Sequence, residues 1–176
     1  MCDGDSNAIC LECGLCCNGV IFADVQLQPG DDAAKLHALG LAFVSNPKSN
    51  AGVQKFKQSC AAFAGCRCTI YSDRPQYCRA FECRLLKSVK AGRVEIAAAS
   101  RTIRIALRRV KKVKRLLQEL GDADDSVALS KRFRRTKRRL ENGPLDSEAA
   151  EKFGELTLAF HDLNMLLAEA FYPGTT

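Results

Sequence analysis

The sequence predicts a mainly α protein: a small irregular α+β cysteine-rich metal-binding module, then a C-terminal antiparallel helical hairpin or three-helix bundle. Three observations point there. All ten cysteines fall within the first 83 of 176 residues. Residues 84–176 carry 20 Lys and Arg against 12 Asp and Glu, whereas residues 1–83 carry 7 against 8. From Val94 onward, apolar residues recur in alternating steps of three and four, the period of a helix with one buried face. The shift in composition divides the chain into residues 1–88 and 89–176. A hydrophobic share of 47% supports an ordinary core, and sparse aromatics without Trp favour helical packing over a large β-sandwich.

The first unit is organised around Cys10, Cys13, Cys16 and Cys17, four thiols in eight residues. Cysteine packs as a small hydrophobe, so core packing does not account for four in so short a loop. A C-x-x-C turn instead turns two sulfurs to one side, where both reach one thiophilic metal. Gly14 suits such a knuckle through its access to left-handed backbone angles. Cys16 and Cys17 are adjacent and point apart, so they can serve two different metals. Partner thiols follow at Cys60, Cys66, Cys68, Cys78 and Cys83. Met1 to Asp5 lack the basic region and apolar run of a secretory signal, and no apolar run approaches the ~20 residues of a membrane helix. A reduced, cytoplasmic protein is expected, where clustered cysteines bind metal more often than they form disulfides.

In chain order, Val20–Gln28 reads as one or two short strands and Pro29–Asp32 as a turn. Asp31 or Asp32 can cap a short helix over 33–39, stopped by Gly40. Residues 45–52 read as a loop and Val53–Phe56 as another strand. Asp73 can cap a helix with Arg74 and Pro75 in its first turn. If that helix runs on, Cys78 and Cys83 lie about 140° apart around its axis. They could then share a metal only if the helix ends between them.

The second cysteine group contains Cys60, then Cys68-Thr69-Ile70-Tyr71, Arg74-Pro75, Cys78-Arg79-Ala80-Phe81 and Cys83. With the opening Cys10, Cys13, Cys16 and Cys17, it resembles the CxxCxxCC cysteine-cluster family, the YkgJ-type zinc- or iron-chelating domain. The resemblance covers about residues 8–86, and all eight family cysteines are present. It implies Cys10, Cys13, Cys16, Cys17, Cys60, Cys68, Cys78 and Cys83 as metal ligands. Cys66 is a departure, an extra thiol two residues before Cys68, and either of the two could ligate. Cys2 lies outside every pattern and reads as a free terminal thiol. Arg74 and Arg79 are candidates to offset thiolate charge by donating hydrogen bonds to the ligating sulfurs, and Tyr71 and Phe81 to pack around the site.

An all-sulfur donor set favours zinc or iron over magnesium or calcium. Two zinc sites of four thiolates would use all eight cysteines. Equally, C-x-x-C-x-x-C resembles the run that holds three corners of a 4Fe–4S cluster, with a distant fourth cysteine. No Glu or His stands in a motif resembling a catalytic zinc site. The leading reading is a non-catalytic binding module; the competing one is an iron–sulfur redox or modification enzyme with an open-site cluster.

The second unit shows three seams. The first runs Ile96, Ala99, Ile103, Ala106, Val110, Val113, Leu117 and Leu120, stopped by Gly121. The second takes Asp125 as cap and continues Leu129, Phe133, Thr136 and Leu140. The third starts from Asp146 and runs Ala149, Phe153, Leu156, Phe160, Leu163, Leu167 and Ala170. Short connections make neighbouring helices antiparallel. Residues 101–139 hold 15 basic against 4 acidic side chains. A solvated face would mix signs for i to i+4 pairing. The excess suggests a surface for a polyanion built from Arg104, Arg108, Lys111, Lys112, Arg115, Lys131, Arg134, Arg135 and Arg138. Nucleic-acid phosphates, an acidic protein or an anionic membrane surface would fit it. Phe133 is the one aromatic in the patch, which argues against base-specific reading.

Overall fold

The computed structural model describes residues 8–45, 54–64, 67–144 and 146–172; Cys2 and Cys66 lie outside them. The cysteine half begins with a short helix, α1 (Ala8–Cys13). Then come β1 (Asp24–Gln26), α2 (Ala33–Ala38), β2 (Phe43–Ser45) and β3 (Gln54–Lys57). Strand β3 lies between β1 and β2 and pairs antiparallel with both, Phe56 facing Val25 on one side and Phe43 on the other. A two-stranded ribbon of β4 (Phe63–Ala64) and β5 (Arg67–Cys68) follows, then a 3-10 turn at Tyr71–Asp73 and α3 (Gln76–Ala80).

The basic half comprises α4 (Arg84–Lys90), α5 (Ile96–Glu119), α6 (Leu129–Glu141) and α7 (Ser147–Ala170). The first seam is buried from Ala99 to Leu120, though Ile96 is exposed. Gly121 ends this helix with φ 82, as a left-handed stop should. Asp146 caps α7 by accepting from Ala149 N at 2.8 Å, and Asp32 caps α2 by accepting from Lys35 N at 2.9 Å. Lys112 pairs with Glu155 at 2.9 Å, and Arg109 donates to the Asp162 carbonyl at 2.6 Å. The pairing order shows that α5 and α7 run in opposite directions. Helix α6 stacks Phe133 on Phe160 of α7, ring centroids 4.0 Å apart.

Two expected caps do not form. Asp73 closes the 3-10 turn and pairs with Lys35 at 2.7 Å, while Pro75 precedes α3 without a side-chain cap. The first amide of α3 is served from afar: Gln76 N donates to Asp31 Oδ1 at 2.7 Å. Similarly, α6 starts only at Leu129, after Ala128, with no side-chain cap. Asp125 is engaged by Arg132 and by Lys114, the latter at 3.5 Å. In both places an arginine or lysine distant in sequence outcompetes the local amide for the carboxylate.

The hydrophobic core forms two clusters. The smaller one, under the three-stranded sheet, holds Val25, Leu36, Leu41, Phe56, Ala62 and Ile70. The larger one is the α5–α7 seam, and it crosses residue 88: Ile9, Leu15, Val20 and Leu85 pack in it with Ile103, Leu163, Leu167 and Phe171. Backbone bonds tie the same halves. Arg84 N donates to Phe171 O at 3.2 Å, Leu129 N to Gly19 O at 2.9 Å and Ser59 N to Ser126 O at 3.2 Å. At Gly19 (φ 78) a Cβ would stand 3.0 Å from Ala128 Cα, so the close approach of the two halves there requires glycine.

Candidate metal centre

The first four cysteines are arranged by a helix that stops early. Cys10 and Cys13 lie on α1, which ends at Cys13 because Gly14 adopts φ 61. A Cβ on Gly14 would also meet the Phe63 ring at 2.5 Å, so the ribbon β4–β5 closes over this knuckle. The turn continues with Cys17 N and Asn18 N both donating to Gly14 O at 2.9 Å. Leu15, fully buried, anchors it in the main core, and Cys16 and Cys17 follow. Cys60 is drawn in by its own N–H, which donates to Cys17 O at 2.8 Å. Cys68 stands opposite Phe63 in the ribbon. Cys78 lies within α3, and Cys83 precedes α4, its Sγ accepting from Leu86 N at 3.4 Å. All eight are free thiols, Cys10 exposed and the other seven partly buried.

Their electrostatics divide them in two. Burial pushes the Cys16 thiol well above its ordinary value, and Cys13, Cys17, Cys83 and Cys10 push the same way. Burial raises Cys13 to about 12, with Cys83 and Cys10 adding to it. Cys10 is raised by desolvation and then by Cys83, against the opposing charges of Arg74 and Lys90. Burial likewise raises Cys17 to about 12, but its thiol neighbours are Cys60, Cys68 and Cys78. Cys78, also raised by burial to about 12, feels Cys60 and Cys68. Burial raises Cys60 too, and Cys68 adds to that rise. Cys10, Cys13, Cys16 and Cys83 thus form one electrostatic group, and Cys17, Cys60, Cys68 and Cys78 the other. The adjacent Cys16 and Cys17 are the link between them. Cys78 and Cys83 fall in different groups even though α3 does end between them.

Of Arg74 and Arg79, the fold brings only Arg74 to the sulfurs. Its guanidinium lies 3.6 Å over the Tyr71 ring and its Nε donates to Tyr71 O at 2.9 Å. From there its charge favours the thiolates of Cys10, Cys17 and Cys78, reaching both groups. Arg79 is exposed, and its charge acts on Lys35. Phe81 packs with Tyr77 and Phe22, the Phe22–Phe81 centroids 4.8 Å apart edge-to-face. Sequence reasoning missed two residues here: Gln58, a buried amide, and Phe171, from the far end of the chain, both in the wall of the sulfur-lined cavity. Gln58 stands in no pattern that could have flagged it, whereas Phe171 continues the third seam four residues after Leu167.

Among the described residues, no three Cys, His, Asp or Glu side chains already converge closely enough to hold an ion. The electrostatic grouping is looser than a coordination shell. Ligating sulfurs must be deprotonated, so an ion would bind here with release of protons. The chemistry of the donors fits: four sulfurs in each group, one shared guanidinium, and no oxygen-rich set of the kind magnesium or calcium requires.

Fold and site together define a small cysteine-cluster metal chelator joined to basic helices. The family model of the CxxCxxCC zinc- or iron-chelating domain matches residues 9–103, more than half of the chain, and the protein belongs to that family. No curated protein and no solved structure matches the chain.

The basic residues fare less uniformly than their spacing implies. Arg104, Arg108, Lys111 and Arg115 are exposed in one stripe along α5, at steps of four, three and four. Arg115 meets Glu119 at 3.4 Å, Lys112 meets Glu155, Lys131 meets Asp24 at 3.8 Å, and Arg135 meets Asp122 at 2.8 Å. Arg134 and Arg138 are exposed on α6. Several of the nine candidate cations therefore face carboxylates on other elements, which a reading of one helix at a time does not see. A groove lined by Arg108, Lys111, Lys112, Lys114 and Arg115 remains between α5 and the loop before α6.

Proposed function

We propose that the chain holds metal in two four-sulfur sites, Cys10–Cys13–Cys16–Cys83 and Cys17–Cys60–Cys68–Cys78, with Arg74 as their common counter-charge. The observation that carries this is the division of the eight thiols into two groups of four. Zinc is the ion we favour, since closed four-thiolate sites are its usual structural arrangement. Residues 1–88 carry the metal and residues 89–176, a helical bundle, carry the docking surface, in the reducing cytoplasm that keeps such thiols available. The test is metal and sulfide content on protein purified without oxygen. About two zinc ions per chain without sulfide supports this reading. About four irons with matching sulfide and visible colour would replace it with a 4Fe–4S centre and the redox or modification chemistry that follows.

The docking partner we favour is a nucleic-acid backbone, met by the stripe of Arg104, Arg108 and Lys111, for which no ion pair is seen among the described residues. Contacts to phosphates release counterions, so binding of a generic RNA should weaken steeply between about 50 and 200 mM salt. Replacing Arg104, Arg108 and Lys111 with Glu should abolish it while leaving metal content unchanged. Equal affinity at low and high salt would sink the nucleic-acid reading and leave an acidic protein or anionic lipid surface as the alternative.

A further inference from the structure

Helix α7 carries two seams. One faces the core through Leu156, Ala159, Leu163 and Leu167, all buried. The other runs along the opposite side: Gly154, Leu158, His161, Met165 and Ala168 follow at steps of four, three, four and three, and all five are exposed. That spacing is the one by which a helix presents a seam to a partner helix. Leu158 is 68% exposed and Met165 59%, the highest values for large hydrophobic side chains among the described residues. Gly154 weakens the interior of a long helix, and the chain's own packing does not call for it: a Cβ there would meet no described atom within 4 Å. Bare backbone at that point lets a neighbouring helix come close. One edge of the seam is acidic, with Glu148, Glu155, Asp162 and Glu169 recurring every seventh residue. Lys152 holds Glu148 and Lys112 holds Glu155, whereas Asp162 and Glu169 show no ion pair among the described residues.

We propose that this outer face of α7 is a docking site for a helix of another protein, one whose apolar seam is flanked by Lys or Arg. The charge of the edge selects that partner. In an antiparallel pair of copies of this chain, the acidic column would lie against itself. In a parallel pair it would lie against Ala150, Thr157 and Asn164 on the other edge, which bring no positive charge. A nucleic acid or an anionic lipid surface is repelled by the same column. A basic partner helix meets the column with cations, while Leu158 and Met165 leave water against its apolar residues. The α5 stripe and this face are of opposite sign, so a partner drawn to one is turned away by the other, and the bundle can hold both at once.

The probe is a labelled synthetic helix of three heptads, with Leu at its seam positions and Lys beside them, titrated against the full chain by fluorescence anisotropy. Its charge keeps it off the basic helices. It should bind saturably, one per chain. Replacing both Leu158 and Met165 with Gln should weaken it about tenfold or more, since each loses an apolar anchor. Both side chains are exposed, so the variant should keep its helicity by circular dichroism; Met165→Gln alone serves if it does not. Asp162→Asn with Glu169→Gln should weaken binding about two- to fourfold at low salt, a difference that fades as salt rises. Absence of saturable binding up to about 100 μM, far weaker than a specific helix pair, would overturn the proposal. So would binding that the Leu158 and Met165 changes leave untouched. Sedimentation gives the remaining contrary result: a dimer of the unaltered chain that those two changes dissolve would assign the face to a second copy.

Discussion

Stripping the metal from the full chain with a strong chelator at neutral pH is expected to unfold the cysteine half and leave the middle of the α5–α7 pair helical. The reason is the size of the smaller core. Val25, Leu36, Leu41, Phe56, Ala62 and Ile70 are the buried apolar residues under its sheet. Each contributes about 1.5–3 kcal/mol, less for alanine. Thiolate binding of zinc supplies ~10 kcal/mol or more as folding energy in small domains, enough to decide whether this half is folded. The long helices have their own seam, so their central amides should keep their protection. Hydrogen exchange checks this. Amides around residues 14–28 and 54–80 should exchange freely after chelation and recover with added zinc, whereas those of Ile103–Val113 stay slow. Undiminished protection in the cysteine half would show that it does not need the metal.

The second large effect is expected far from any cysteine. Arg132 of α6 is 1% exposed, and its Nε donates to Asp122 Oδ1 at 3.1 Å. It also donates to the Asp122 carbonyl at 2.5 Å and to Asp125. Asp122, itself 6% exposed, is held from the other side by Arg135, at 2.9 Å and 2.8 Å. This network seals the α5–α6 turn. Arg132→Met removes one partner and leaves the buried carboxylate to an exposed arginine and the Thr136 hydroxyl, which donates to Oδ2 at 3.4 Å, and should cost about 3–5 kcal/mol. Arg135→Met removes the exposed partner and should cost about 1 kcal/mol. Urea unfolding of the metal-loaded chain measures both. Equal, small losses would mean that Asp122 is well solvated in the folded protein.

The long helices were legible because a buried face repeats every three to four residues whatever it packs against. Their stops were legible for a local reason too: Gly40 and Gly121 both take positive φ, and Asp32 and Asp146 both cap amides three residues away. Asp73 and Asp125 failed as caps because an aspartate offers the same oxygen to a nearby amide and to a distant cation. Lys35 lies 38 residues from Asp73, a pairing no local pattern encodes. The same blindness made the basic helices look unpaired, since Lys112 finds Glu155 only after α7 folds back.

The cysteines divided in a comparable way. Their clustering is written in the spacing. Which distant thiol joins which set is not. That depends on Cys60 N bonding to Cys17 O, and on a chain that leaves α3 extended before it starts α4 at Arg84. Gln58 was invisible for a simpler reason: a single glutamine in a polar stretch carries no signal of its burial.

The measurement that bears most directly on the two-site account is metal content in Cys13→Ser and Cys78→Ser beside the unaltered chain. Each substitution removes one sulfur from a different group, so each variant should lose about half of the metal, and the double variant nearly all of it. Complete loss from either single variant would contradict the division and point to one centre shared by all eight thiols.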